Sequence, residues 1–170
     1  MTQAYNLSQL ANFVNSSGQL DASTGLYNLP SGRVVQSIQN TFTSSASTTS
    51  NSLVTTGHSA SITPTSTSSK ILAIVSCAVN NTNGNDSGLT LYRGSTNLAG
   101  GSSAFVSFMS ISGGETGVPA TFSYLDTPAV TTALTYTVYY ASGGGTTRYN
   151  YPLGNIGLGQ TASIILLEIL

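Results

Sequence analysis

The chain has 170 residues, and only 5% are charged: four basic, five acidic, formal net charge −1. An ordinary soluble domain carries about 25%. Four Lys/Arg cannot lay an electrostatic footprint on nucleic acid or on an anionic membrane, and no apolar run is long enough for a bilayer-spanning helix.

Hydroxyls and amides stand where charges usually do. Ser and Thr number 51, and with 18 Gly and 13 Asn they make nearly half the chain. One cysteine, Cys77, excludes an internal disulfide and a Cys-rich zinc site. It lies in an apolar run and reads as a small buried hydrophobe. The start, Met1-Thr2-Gln3-Ala4-Tyr5, lacks the basic and apolar regions of a secretory signal.

The first thirty residues differ from the rest. Leu7, Leu10, Ala11 and Val14 recur at helical spacing, with Phe13 beside them and Asn6 or Ser8 placed to cap. Two turns of helix are marginal alone in water, so this stretch needs a surface to dock on. Leu7, Leu10, Phe13 and Val14 are the candidate anchor. A turn-rich stretch follows, and Leu29-Pro30-Ser31-Gly32 marks the break before a new unit. The expected division is 1–31 and 32–170.

From Gly32 the pattern is that of short strands between polar turns. Arg33–Gln39 is the first. Thr41–Ser52, almost pure Ser/Thr, reads as a solvated edge or loop. His58–Thr63 alternates and stops at Pro64. Lys70–Val79 is nearly all apolar, as in a strand covered on both faces. Asn80–Gly88 reads as a polar loop, followed by strands at Leu89–Tyr92, Ala104–Ile111, Ala120–Asp126, Leu134–Ala141, Thr147–Tyr151 and Ser163–Leu170. Eight or nine short strands predict an all-β sandwich, a jelly roll, behind a short N-terminal anchoring segment.

The last strand is apolar on both faces. Ile164, Leu166 and Leu170 share one with Glu168; Ile165, Leu167 and Ile169 share the other. One face needs the second sheet and the other needs a further cover, which points to another copy of the chain. Tyrosines are also frequent at interfaces. The candidate oligomer contact is therefore Tyr136, Tyr140, Ile164, Leu166 and Leu170.

Catalytic signals are thin. His58 is the single histidine; a triad with Asp21, Asp86 or Asp126 is formally available, but among 27 serines a Ser near a His carries little information, and a strand-edge histidine is the plainer reading. Asp86, Glu115, Asp126 and Glu168 are the candidates for a hydrolytic carboxylate pair, and no spacing singles out two of them. The loop Asn81–Gly88 looks oxygen-rich but lacks the first Asp and closing Glu of a calcium loop. The glycines at 100–101 and 143–145 have no following Lys-Ser/Thr, so they are not phosphate loops. No cofactor, metal site or catalytic residue is expected.

Several segments carry a family resemblance. They are Gly57–Ser76, including Gly57-His58-Ser59-Ala60-Ser61-Ile62-Thr63-Pro64 and Lys70-Ile71-Leu72-Ala73-Ile74-Val75-Ser76; Leu91-Tyr92-Arg93-Gly94-Ser95-Thr96-Asn97; Tyr124-Leu125-Asp126-Thr127-Pro128; and Ser163–Ile169. The leader Ser16–Gly25 belongs with them. Together they resemble structural proteins of tailed bacteriophages, notably marine ones. The resemblance implies a tumour necrosis factor-like jelly roll assembled as a homotrimer, with the C-terminal strand close to the threefold axis, and no catalytic residues. It also implies a virion-surface component made in the bacterial host cytoplasm. With only about thirty residues before the sandwich and no long shaft, the expected role is a capsid decoration (cement) protein or head fibre, held to the major capsid protein or another virion protein through residues 1–31. A tail-fibre knob binding a host-surface glycan is the alternative. A carbohydrate-binding module or glycan hydrolase on the same fold is the alternative of a different class.

Overall fold

The computed structural model describes residues 31–101, 104–110, 117–151 and 160–170. The anchor residues Leu7, Leu10, Phe13 and Val14, and with them Asp21 and Glu115, lie outside these ranges. Among the described residues every regular element is a strand: β1 Val34–Phe42, β2 Ala46–Thr48, β3 Val54–Ile62, β4 Lys70–Asn81, β5 Asp86–Arg93, β6 Thr96–Asn97, β7 Ser107–Ser110, β8 Val118–Asp126, β9 Leu134–Ser142, β10 Thr147–Tyr149 and β11 Ala162–Ile169.

The strands form two antiparallel sheets. In the first, β4 pairs with β8 along one edge and with β11 and then β10 along the other. Beyond them lie β1 against β11 and β2 against β10. In the second sheet β3 pairs β9, β9 pairs β5, and β7 and β6 share the far edge of β5. The eleven segments thus fill eight strand positions, because β1/β2, β6/β7 and β10/β11 are interrupted strands. Numbered along the chain, the sheets run 1-8-3-6 and 2-7-4-5. That is the order of a jelly roll, so the chain is an all-β jelly-roll sandwich.

Alternation explains which side chains fill it. Ile71, Ala73, Val75, Cys77 and Val79 of β4 face inward with Ala162, Ile164 and Leu166 of β11 and Ala120 and Phe122 of β8. Leu89, Leu91, Tyr136, Val138 and Tyr140 meet them from the second sheet. Cys77 is buried, as expected of a small hydrophobe, and burial pushes its thiol up to about 12.

The interruption between β10 and β11 has a specific fastening. Asn150 adopts φ 50°, which asparagine tolerates better than most residues. Its amide donates to the carbonyls of Phe42 (2.8 Å), Ser44 (2.9 Å) and Gln160 (3.1 Å). One side chain therefore joins both broken strands where their ladders lapse.

Two expectations change. The Ser/Thr stretch 41–52 is not all loop, since β1 runs on to Phe42 and β2 pairs with β10. Hydroxyl residues hide this, because β-branched Thr fits a strand without marking it as apolar. In β4 one face is buried, whereas the other leaves Leu72 and Ile74 partly exposed and Lys70 and Ser76 exposed.

Candidate functional site

The described carboxylates come first, since hydrolytic chemistry would need them. Asp126 and Glu168 stand in one row, each paired across β4 with Ile71 and both turned inward. Each is already committed to the fold. Asp126 accepts from Arg93 Nη1 at 2.7 Å on both oxygens and from the Tyr136 hydroxyl at 2.7 Å, which ties the two sheets together. Glu168 is fully buried. Its Oε1 accepts from the Thr65 N–H (2.7 Å), the Thr65 hydroxyl (2.7 Å) and the Ser69 hydroxyl (2.5 Å), and its Oε2 accepts from Gln36 Nε2 (2.6 Å). Burial alone would raise its pKa. The bonds from Ser69, Thr65 and Gln36 outweigh that and hold it down at about 2. Neither group is placed to exchange a proton with a substrate.

His58 lies on β3, the edge strand of the second sheet, but its side chain is turned into the core. β3 slips register between Thr55 and Ser59, with Gly57 at φ 82°, a left-handed conformation that glycine takes without strain. Thr56 Oγ1 bonds the Val138 carbonyl (2.9 Å), and the bulge turns the next side chain into the core. His58 is fully buried there, stacked on Phe42 at 5.1 Å, with Nδ1 2.6 Å from the Tyr149 hydroxyl. Among the described residues no carboxylate is hydrogen-bonded to it. Burial lowers its pKa, against a smaller upward pull from the backbone at Asn40. The residue is a neutral core histidine.

The loop after β4 is a turn built on one amide. Asn81 Oδ1 accepts from the Asn83 and Asn85 N–H groups, and Nδ2 donates to the Gly144 carbonyl at 2.9 Å and to the hydroxyls of Ser142 and Thr147 at 3.2 Å. Ser87 and Thr147, 2.7 Å apart, bridge the sheets beside it. Asn81 thus ties this loop to the turn between β9 and β10 at that end of the sandwich.

The residues expected at an oligomer contact fall into two places. Tyr136, Tyr140, Ile164 and Leu166 are buried between the chain's own sheets; Leu170, at the end, is half-buried. Tyr140 packs edge-on against Tyr149 at 6.3 Å. The surface of the first sheet is made by the alternate residues. Leu125, Leu72 and Leu167 lie in one cross-strand row, Ile74 and Ile165 in the next, and Ile169 at the end. All six are partly or well exposed, with Leu125 at 50%. Around them stand Ser37, Gln39, Ser76, Thr121, Ser123 and Ser163, so the patch is apolar inside a hydroxyl and amide rim.

The second sheet has a different outer face. Tyr92 and Tyr139 stack there at 4.0 Å. At the end nearer the Asn81 turn, Phe105 lies over Gly88, where a Cβ would collide with its ring. With the exposed Phe108, Asn51, Asp86, Ala141, Ser142 and Gly143, these residues line a cavity of about 170 Å³. In the sequence this cluster shows only as an acid in the oxygen-rich loop Asn81–Gly88.

Among known proteins, no family model matches the chain and no curated protein matches it. Solved structures with some likeness include one of infectious bursal disease virus, Gt strain (15% identity, 81% of this chain, 38% of that one, TM-score 0.37). A second is the D431N mutant VP2 protein of the same virus in T=1 particles (15% identity, 79% of this chain, 36% of that one, TM-score 0.36). A third is a Bacillus endospore appendage, a disulfide-linked pilus (16% identity, 85% of this chain, 98% of that one, TM-score 0.32). The chain thus spans less than two fifths of the viral chains it matches. At these scores the likenesses do not extend to a role.

Proposed function

We propose that this chain is a non-enzymatic structural protein of a tailed-phage virion, a homotrimeric capsid decoration protein or head fibre held to the particle by residues 1–31. The observation that carries the reading is the outer face of the first sheet. Six aliphatic side chains on three adjacent strands form one patch with a neutral polar rim, and such patches mark interaction sites. The occupant is a second copy of the chain. β4 is the middle strand of the patch, and β11 beside it supplies three of the six side chains, an arrangement that suits packing around a symmetry axis. The chemistry agrees: the described acids of the sandwich interior hold strands together, and His58 is a core residue.

The anchor follows from the leader. Leu7, Leu10, Phe13 and Val14 are a short apolar stripe that needs a surface. Three linked stripes on a trimer bind with high effective concentration, so weak individual docking becomes firm attachment. Two measurements test the reading. Light scattering of purified protein gives the mass of three chains, and the pair Ile165→Lys and Leu167→Glu gives one; a wild-type monomer overturns it. Deleting residues 1–31 leaves a trimer that no longer joins particles; normal incorporation of the truncated protein overturns the anchor.

A further inference from the structure

We propose that the cavity at Asp86 and Phe108 is a binding site for one pyranose ring of a neutral glycan. Of the three described acids, Asp126 and Glu168 hold the fold together, whereas the Asp86 carboxylate makes no hydrogen bond among the described residues. Its main chain is fixed instead: the Gly143 N–H donates to the Asp86 carbonyl at 2.8 Å, and the residue begins β5. The carboxylate is therefore rigidly mounted and free to accept. Asn51, which can both donate and accept, stands on the same rim.

Part of the lining is aromatic. Phe105 and Phe108 lie 6.1 Å apart at 45°, and Phe108 is the most exposed large hydrophobic side chain in the described sandwich, at 61%. Gly88 is what lets Phe105 lie against the sheet, because any side chain there would displace the ring. A pyranose needs this combination. Its C–H face packs on a ring, and its hydroxyl edge donates to a carboxylate in short, charge-assisted bonds while an amide fixes orientation. The volume, about 170 Å³, is below the range of about 300–1,000 Å³ for drug-sized sites, so it takes one ring. An organic cation is the competing ligand for a carboxylate beside aromatics. Here only two rings line the cavity, and Ala141, Ser142, Gly143 and Asn51 line it with them, which suits hydroxyls rather than an ammonium.

Placement supports exposure to a partner. Val34 pairs with Ile169 at one end of the sandwich. The cavity is at the other end, beside the turns at Asn81–Asp86 and Ser142–Thr147. The proposal stands on these residues whatever the oligomeric state or the particle.

The test is titration of the ¹⁵N-labelled full chain with the methyl glycosides of glucose, mannose, galactose and N-acetylglucosamine. At least one shifts the Gly88 and Gly143 amide signals, with a dissociation constant on the order of 1–10 mM, as a single ring allows. Asp86→Asn and Phe108→Ala, both surface changes, each weaken that binding about tenfold or more while the remaining spectrum is unchanged. The proposal fails if no glycoside moves those signals, if Asp86→Asn binds like wild type, or if tetramethylammonium alone moves them.

Discussion

Replacing Glu168 with Gln keeps the side chain's shape and removes its charge. The amide oxygen can still accept from Thr65 and Ser69, but an NH₂ now meets Gln36 Nε2, so one donor faces another. The cost can be worked from the titration. The carboxyl moves from 4.5 to about 2 on folding, a difference of roughly 3 kcal/mol at about 1.4 kcal/mol per unit. Part of that is screened near the end of the sandwich, leaving about 1–2 kcal/mol. The sign follows from linkage. A carboxyl with a depressed folded pKa binds its proton more readily in the unfolded chain, so its contribution is complete above 4.5 and is lost as pH falls towards 2. Urea unfolding of both proteins, at one protein concentration, should show wild type ahead by about 1–2 kcal/mol at neutral pH and the gap closing through that window. A gap that persists unchanged to about pH 2, or no gap at neutral pH, would refute the reasoning.

His58→Gln tests the buried histidine: wild-type stability falls below pH 6.5, where the unfolded chain takes a proton the folded core refuses, and the variant lacks that dependence in urea melts down to the depressed folded value. Asn150→Gly keeps the left-handed backbone but loses three carbonyl contacts, so chemical denaturation should show a loss of about 2 kcal/mol; no loss would mean the φ angle alone matters there. Gly88→Ala pushes a methyl against the Phe105 ring, costing about 1–3 kcal/mol and removing glycoside binding in the same titration. Because the patch on the first sheet is aliphatic, light scattering should give the same oligomer mass from low salt to about 1 M NaCl; dissociation at high salt would mean that charge holds the assembly.

Much of the strand plan was legible because alternation and turn residues are local signals. Leu134–Ala141, Ala120–Asp126 and Lys70–Val79 each lie within a strand. What was not legible depends on partners distant in the chain. β2 exists because β10 pairs with it from about a hundred residues away. His58 looked like an edge residue because its neighbours are polar; only the bulge at Gly57 and the hydroxyl of Tyr149 make a buried imidazole tolerable. The cavity at Asp86 joins β5, β7, the turn after β9 and the segment before β3, and no window of sequence contains all four.

The final strand shows how its two faces can be told apart while the one expected at the oligomer contact, with Ile164 and Leu166, turns to the core. Its two faces were separable by parity: Ile164, Leu166 and Glu168 on one, Ile165, Leu167 and Ile169 on the other. An apolar run on both faces carries no mark of which one meets the core, and the carboxylate is a misleading clue. A lone Glu is almost never fully buried unless paired, which favours placing its face outward. Here Gln36, Thr65 and Ser69, from β1 and the β3–β4 loop, supply four donors, and the Glu168 face turns in. The purely aliphatic face is thereby left outside, in a chain with only 5% charged residues to solubilise it. An exposed aliphatic strand in a neutral sheet invites association. The buried carboxylate and the proposed trimer contact are thus two consequences of one choice of face. Glu168 fastens the strand in the orientation that leaves Ile165 and Leu167 on the outer face.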